Sequence, residues 1–460
     1  MAGRPALLRL IDASPPHRIA MPILYFCTLA VLASFTVLLA RRSHINLASG
    51  AGWVLMTLVH GLFIKPLFVL ADFPSPEILD ITLFQQTNRH DYWLWGTVLL
   101  FAYAAFVAAM FAAGRYHRPV RPRPAPRAEW FDTGMLTLLL LLAAVGVVGF
   151  FVQFPQLLES ANKNSIATAD VAEYSSGGGW RTLISLSYLI SLCALANVGQ
   201  RHARRASLAL FLASAGVWLV FCFLSDQRGS VLFSVITYLI AYSRFIGPLP
   251  RKAVLTVLLV LTAAIVGKTA MRLQSENGGQ DEIAAVAANF VGPNLVENGK
   301  TVSVIQAIPA KIEHQLGKTY LDAVLILVPR ALYPAKETVN LDTVIGNQVF
   351  DCNAFGACGV PPGLMAESYL NFGVLGVVVL AIAMGALVGK IDHRYRCGRR
   401  SVTFDLFYMY SLVYCGMAIL GSGASSVLTQ QLTQGITFGF VLLAAKRRAR
   451  RHAPQALATA

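Results

Sequence analysis

The stretch FCFLSDQRGSVLF, residues 221–233, lies inside an apolar run from Ala206 to Ile246 and carries Asp226 and Arg228 near its middle. The run is too long for one crossing, because a hydrocarbon core of about 30 Å is spanned by about 20 apolar residues. Divided at SDQRG it makes two crossings, 206–224 and 230–246, with the acid and the Arg in a short polar turn. The division also removes a physical difficulty, since ionisable side chains are costly at membrane depth. The same arithmetic extends to the rest of the chain.

The 460 residues are 56% hydrophobic and only 13% charged, with a mean hydropathy of +0.58. That balance excludes a soluble multi-domain protein. The expectation is an all-α polytopic integral membrane protein, a single membrane domain over 1–460 with about 11 spans. These fall near 20–40, 49–71, 92–114, 133–152, 182–199, 206–224, 230–246, 253–269, 372–389, 404–422 and 430–445.

Alternate connections are strongly basic. They are Arg41-Arg42, RYHRPVRPRPAPR from Arg115, RHARR from Arg201, Arg244 with Arg251-Lys252, KIDHRYRCGRR from Lys390, and KRRARRH from Lys446, with Asp392 the only acid among them. Short basic loops stay on the cytoplasmic side. The net charge of +15 is therefore read as topology, not as nucleic-acid binding, and the C-terminus is expected in the cytoplasm. An odd number of spans then puts the N-terminal tail outside, although it carries Arg4, Arg9 and Arg18. The first span is too long for a cleavable signal peptide, and Arg41-Arg42 follow it in place of a small-residue cleavage site.

On the outer side the loops are 72–91, 153–180, 225–230, 270–369 and 421–429. The loop 270–369, between the eighth and ninth spans, is too long for a plain connector. Its stretch TYLDAVLILVPRALYP, residues 319–334, is apolar but short and reads as a re-entrant or interfacial helix ended by Pro329 and Pro334. Cys352 and Cys358, in FDCNAFGACGVPPG, are either a disulfide or two free thiols. No neighbouring His or further Cys completes a metal-ligand set, so no metal site is expected.

Cations gather on this side. Arg228 lies in the opening turn, Lys268 and Arg272 end the eighth span, and Lys65 ends the second in HGLFIKPLF. Arg330 and Lys336 bracket the end of the short apolar stretch, and Glu367 opens the ninth span in AESYLNFGVLG. Basic side chains at helix ends can simply snorkel to headgroups. Alternatively they hold an anion, and the planar fork of Arg matches phosphate oxygens, which suits a lipid whose diphosphate sits at the membrane surface. Glycosyl transfer from such a lipid needs charge stabilisation for the departing diphosphate and a base for the attacking hydroxyl. Arg supplies the first, and Glu367 or His314 the second. Asp72, Glu77 and Asp80 read as ordinary solvated charges.

Together, SDQRGSVL between two mid-chain spans, VPRALYPAK in the long loop and PPGLMAESYLNFGVLG at the start of the next span resemble the Wzy-type oligosaccharide repeat-unit polymerases, the O-antigen and exopolysaccharide polymerases. The resemblance implies a GT-C-like helical glycosyltransferase of the bacterial inner membrane that uses neither metal nor cofactor. It would transfer a growing polymer from undecaprenyl diphosphate to a new undecaprenyl-diphosphate-linked oligosaccharide at the periplasmic face, with a polysaccharide chain-length regulator as a partner. Carried over by residue, Arg228 and Arg330 are expected to hold diphosphate, Glu367 to act as base or acceptor-positioning group, Asn371 to be a structural or sugar-binding residue, and Tyr369 to complete the motif on the substrate-binding side. Some members place a Gly after ten intervening positions from each loop Arg, where Ile283 and Leu341 stand here. A ligase moving finished polymer to a lipid A core would use similar groups. A flippase would be expected to show internal repeats, and the sequence has none that we can discern.

Overall fold

The computed structural model describes residues 17–41, 49–71, 89–116, 130–153, 178–224, 228–247, 298–325, 341–350, 360–397, 401–411 and 420–457, with scattered positions in 249–260 and 328–333. In chain order the helices are α1 His17–Arg41, α2 Gly50–Leu70, α3 Arg89–Gly114, α4 Thr133–Gln153, α5 Gly178–Gly199, α6 Arg204–Leu224 and α7 Arg228–Phe245. They continue with α8 Asn298–Ala307, α9 Lys318–Leu325, α10 Leu341–Val349, α11 Gly363–Cys397, α12 Val402–Tyr408 and α13 Ala424–Leu457. No strand occurs among the described residues, and seven of the helices are long and apolar enough to cross a membrane. The chain is an all-α, multi-pass membrane protein. Shorter apolar helices, Ser230–Phe245 and Gly435–Ala444, occupy two more of the expected positions. The expected spans 253–269 and 404–422 fall largely or partly outside the described residues.

The apolar run that opened the sequence is indeed two helices, with α6 ending at Leu224 and α7 starting at Arg228. They pack against each other, and Trp218 Nε1 donates to Ser234 Oγ at 2.7 Å across the pair. α5 is the central helix: 83% of its apolar window is buried, against 11% for α1 at the periphery. Ser187 and Ser191 donate to the Ile184 and Tyr188 carbonyls at 2.6 Å within the helix, and the Ser191 hydroxyl also meets the Tyr238 hydroxyl of α7 at 2.8 Å. At its end Asn197 pairs with both backbone groups of Phe131, at 2.8 Å each, and so fixes the entry of α4.

A second group centres on α3 and α11, which share the most extensive packing among the described helices. α1 covers α3 and joins it to α2 through one hydroxyl. Pro66 has no N–H to offer the Leu62 carbonyl four residues back, and the helix answers with a π-turn over His60–Ile64. Tyr25 Oη donates to that Leu62 carbonyl at 2.8 Å and accepts from Asn298 Nδ2 of α8 at 3.2 Å.

One end of this group holds a buried ionic network. Asp392 pairs with Arg396 at 3.0 Å and accepts from the Tyr408 hydroxyl. The Arg396 guanidinium also donates to the Gly114 carbonyl and lies 4.0 Å from the Tyr116 ring centre. Tyr408 accepts from Gly50 N at 2.8 Å, and its ring stacks on Tyr395. Arg244 reaches Asp405 at 2.9 Å. The ends of α3, α7 and α11, the start of α2 and the short helix α12 therefore meet here, where the distribution of charge put one side of the membrane.

Candidate functional site

At the opposite end of α11 lies the ESYLNFG segment. The helix is interrupted there: Phe372 and Gly373 leave helical geometry, Gly373 with φ 62° and ψ −153°. That region of backbone space is essentially restricted to glycine. The interruption separates a buried first part, Gly363 to Asn371, from a longer part whose Val374 and Leu375 face outward. Glu367 stands in the buried part, before the break. Breaking the helix also frees the Leu370 carbonyl, which accepts from Gln315 N at 2.9 Å.

Glu367 is 0% exposed. Oε1 accepts from the Thr319 hydroxyl at 3.1 Å, and both carboxylate oxygens lie 3.1 Å from Ser425 N. Ser425 is in the first turn of α13, so the carboxylate caps that helix from another part of the chain. The approach requires glycine before it. Gly423 has φ 102°, and a Cβ there would stand 2.6 Å from Glu367 Oε2.

Asn371 is equally buried and is held on three sides. Its amide donates to Thr319 Oγ1 at 2.8 Å and to the Glu367 carbonyl at 2.9 Å, while its Oδ1 accepts from Gly317 N at 2.9 Å. Its bonds join α9 to α11. Behind this pair is a polar group that the sequence reading missed. Lys300 of α8 is 1% exposed and donates to the Gly421 carbonyl at 3.1 Å. Asp342, in the first turn of α10, accepts from the Ser426 hydroxyl at 3.3 Å. Removal from water pushes the Asp342 carboxyl up to about 6, with Lys300 and Ser426 opposing the rise and Glu367 adding to it.

His314 and Tyr369 are the accessible members of the set. His314 is exposed and Tyr369 half-buried, with ring centres 5.9 Å apart. His314 Nδ1 is 3.2 Å from the Leu370 carbonyl. A carbonyl can only accept, so this contact assigns the proton to Nδ1 and leaves the lone pair of the neutral ring on Nε2. The break in α11 thus releases the carbonyl that orients the histidine ring.

Lys65 follows the π-turn and is 1% exposed, which of the two readings of its charge sets aside snorkelling to headgroups. Arg272, Lys268, Arg330 and Lys336 lie outside the described residues, as do Cys352 and Cys358. For Arg228 the backbone is described as the first residue of α7, and its side chain is not. Among the described residues no His, Cys, Asp and Glu group could hold a metal ion.

Thr319 was within reach of the sequence reading, since it starts the short apolar stretch already singled out. Lys300 and Asp342 gave a weaker signal, as single charges in mixed segments whose burial is decided by tertiary packing. In comparisons with known proteins, no family model, curated protein or solved structure matches the chain.

Proposed function

We propose that the chain is a membrane-embedded glycosyltransferase that polymerises lipid-diphosphate-linked oligosaccharide units, with His314 as the base. The observation that supports this most is the accessible His314–Tyr369 pair, which stands beside the buried Glu367–Asn371 core of the ESYLNFG segment. In the transfer, the acceptor hydroxyl oxygen attacks the anomeric carbon of the donor sugar. The bond from that carbon to the diphosphate oxygen breaks and its electron pair leaves with the diphosphate, while the hydroxyl proton passes to His314 Nε2. Arg228, Arg272 and Arg330 are assigned to the diphosphate on sequence grounds, because guanidinium forks stabilise the charge that develops there. Glu367 orders the site. Its oxygens are already occupied by Thr319 and Ser425, which favours His314 over Glu367 as proton acceptor.

The test is His314→Gln in the native cell, with membrane levels of the protein checked and surface polysaccharide resolved by length on a gel. The expected result is loss of long chains with single repeat units still attached. Long chains of ordinary length made by a normally abundant variant would remove His314 from the reaction, and loss of all attachment would indicate ligation in place of polymerisation.

A further inference from the structure

The short helix α9 is buried on one side and apolar on the other. Thr319 and Ala323 face the protein, while Leu321 and Val324 are 59% and 48% exposed, and Leu316 just before the helix is 80% exposed. Lys318 and Asp322, four residues apart, are exposed along one flank between these faces. A soluble protein would not hold three large apolar side chains out in water beside one another without an occupant.

The occupant is indicated by what α9 touches. The Tyr320 ring stacks on Phe372 with centres 6.2 Å apart, and Gly317 packs against the edge of the same ring. Phe372 marks the break in α11, and beyond it Val374 and Leu375 are 65% and 73% exposed, the start of that helix's outward apolar surface. The exposed side of α9 is therefore continuous with the surface that a membrane-crossing helix presents to lipid, and it lies at the end of that surface. Its second face is fastened to the protein interior, because Thr319 bonds Glu367 and Asn371.

We infer that α9 lies in the boundary between headgroups and acyl chains of the leaflet at the Glu367 end. Leu316, Leu321 and Val324 are in hydrocarbon, and Lys318 and Asp322 are turned to headgroups and water. Amphipathic helices settle about 5–10 Å into that boundary. Through Thr319 the lipid surface is tied to the buried Glu367. The inference concerns membrane contact alone and does not depend on the sugar chemistry proposed above.

It is tested on the full chain in lipid nanodiscs, with a small fluorescent amino acid introduced by suppression at 321, 324 or 322 in separate preparations. The discs contain phosphatidylcholine brominated at shallow or deep acyl positions. At 321 and 324 the expected result is blue-shifted emission, quenched more by shallow than by deep bromines, with clearly weaker quenching at 322. Water-like emission unaffected by bromine at 321 and 324 would overturn the inference. So would blue-shifted emission that bromine leaves unchanged but that reverts when each disc holds one copy, since a second copy of the chain would then be the occupant. Monodisperse elution of each preparation shows that it is folded. A quenching pattern as expected, together with unaffected polymer in the His314→Gln cells, would retain the membrane contact and discard only the proposed reaction.

Discussion

The sequence offered Glu367 or His314 as base and the resemblance leaned to Glu367; their surroundings favour His314. Glu367 holds an N–H and a hydroxyl from two other helices and is 0% exposed, whereas His314 is exposed and has one ring nitrogen occupied by a carbonyl. Glu367→Gln keeps an acceptor for Ser425 N, and Glu367→Ala leaves that amide and the Thr319 hydroxyl without this partner. The Ala variant should lose about 1–3 kcal/mol of stability, read as a lowered Tm of the detergent-solubilised protein. The Gln variant should remain closer to wild type and still make polymer; a stable but inactive Gln variant would return Glu367 to the position of base. Asp342 gives a pH signature. Its carboxyl titrates at about 6 in the fold against an ordinary 3.8, so the folded protein binds this proton more tightly than the unfolded chain does. The resulting stabilisation is complete below the ordinary value and is lost as pH rises through about 6. Asp342→Asn should flatten that part of the Tm profile, and an unchanged slope would show that another group produces it.

At the scale of elements, the sequence was most legible where apolar length decides the structure. Residues 206–246 resolved into α6 and α7 as their composition required, and α1 to α6 start and end near the expected boundaries. Legibility failed where polar contacts between distant segments decide. Nothing in NFG as a string says that Gly373 takes a backbone geometry closed to other residues, or that the Leu370 carbonyl thereby becomes available to the 314–315 segment. Gly376 completes the turn, since the space a Cβ would need there is filled by the Ser368 carbonyl and Phe372. Gly373→Ala should cost about 1–3 kcal/mol in backbone strain and should reduce polymer length as well as Tm, because the break positions His314. A variant with lowered Tm and full-length polymer would separate the break from the site. The π-turn is another feature hidden from periodicity: KPLF reads as helix, and only the Tyr25 hydroxyl shows how the carbonyl left by Pro66 is satisfied.

Across the whole molecule, charge read as topology has a second use. Arg244 and Arg396 belong to connections counted as cytoplasmic, yet both are paired with carboxylates, and Arg396 is only 7% exposed. Removing one partner of a buried pair leaves an uncompensated charge and typically costs about 3–5 kcal/mol. Asp392→Ala should therefore reduce Tm strongly, and Asp392→Asn less, since the amide retains an oxygen for Tyr408; equal and small effects would mean that the pair contributes little. The cluster of cations expected on the outer side falls largely outside the described residues, which instead bring Glu367, Asn371, His314 and Tyr369 together. The cap on α13 has one more consequence, for synthesis. Glu367 and Thr319 leave the ribosome before Ser425, so α11 enters the membrane while its buried carboxylate still lacks the amide that will hold it. The last long helix is thus a closing member of the assembly, and until it arrives the nascent chain carries an unfinished polar joint of the kind by which membrane quality control can recognise immature proteins.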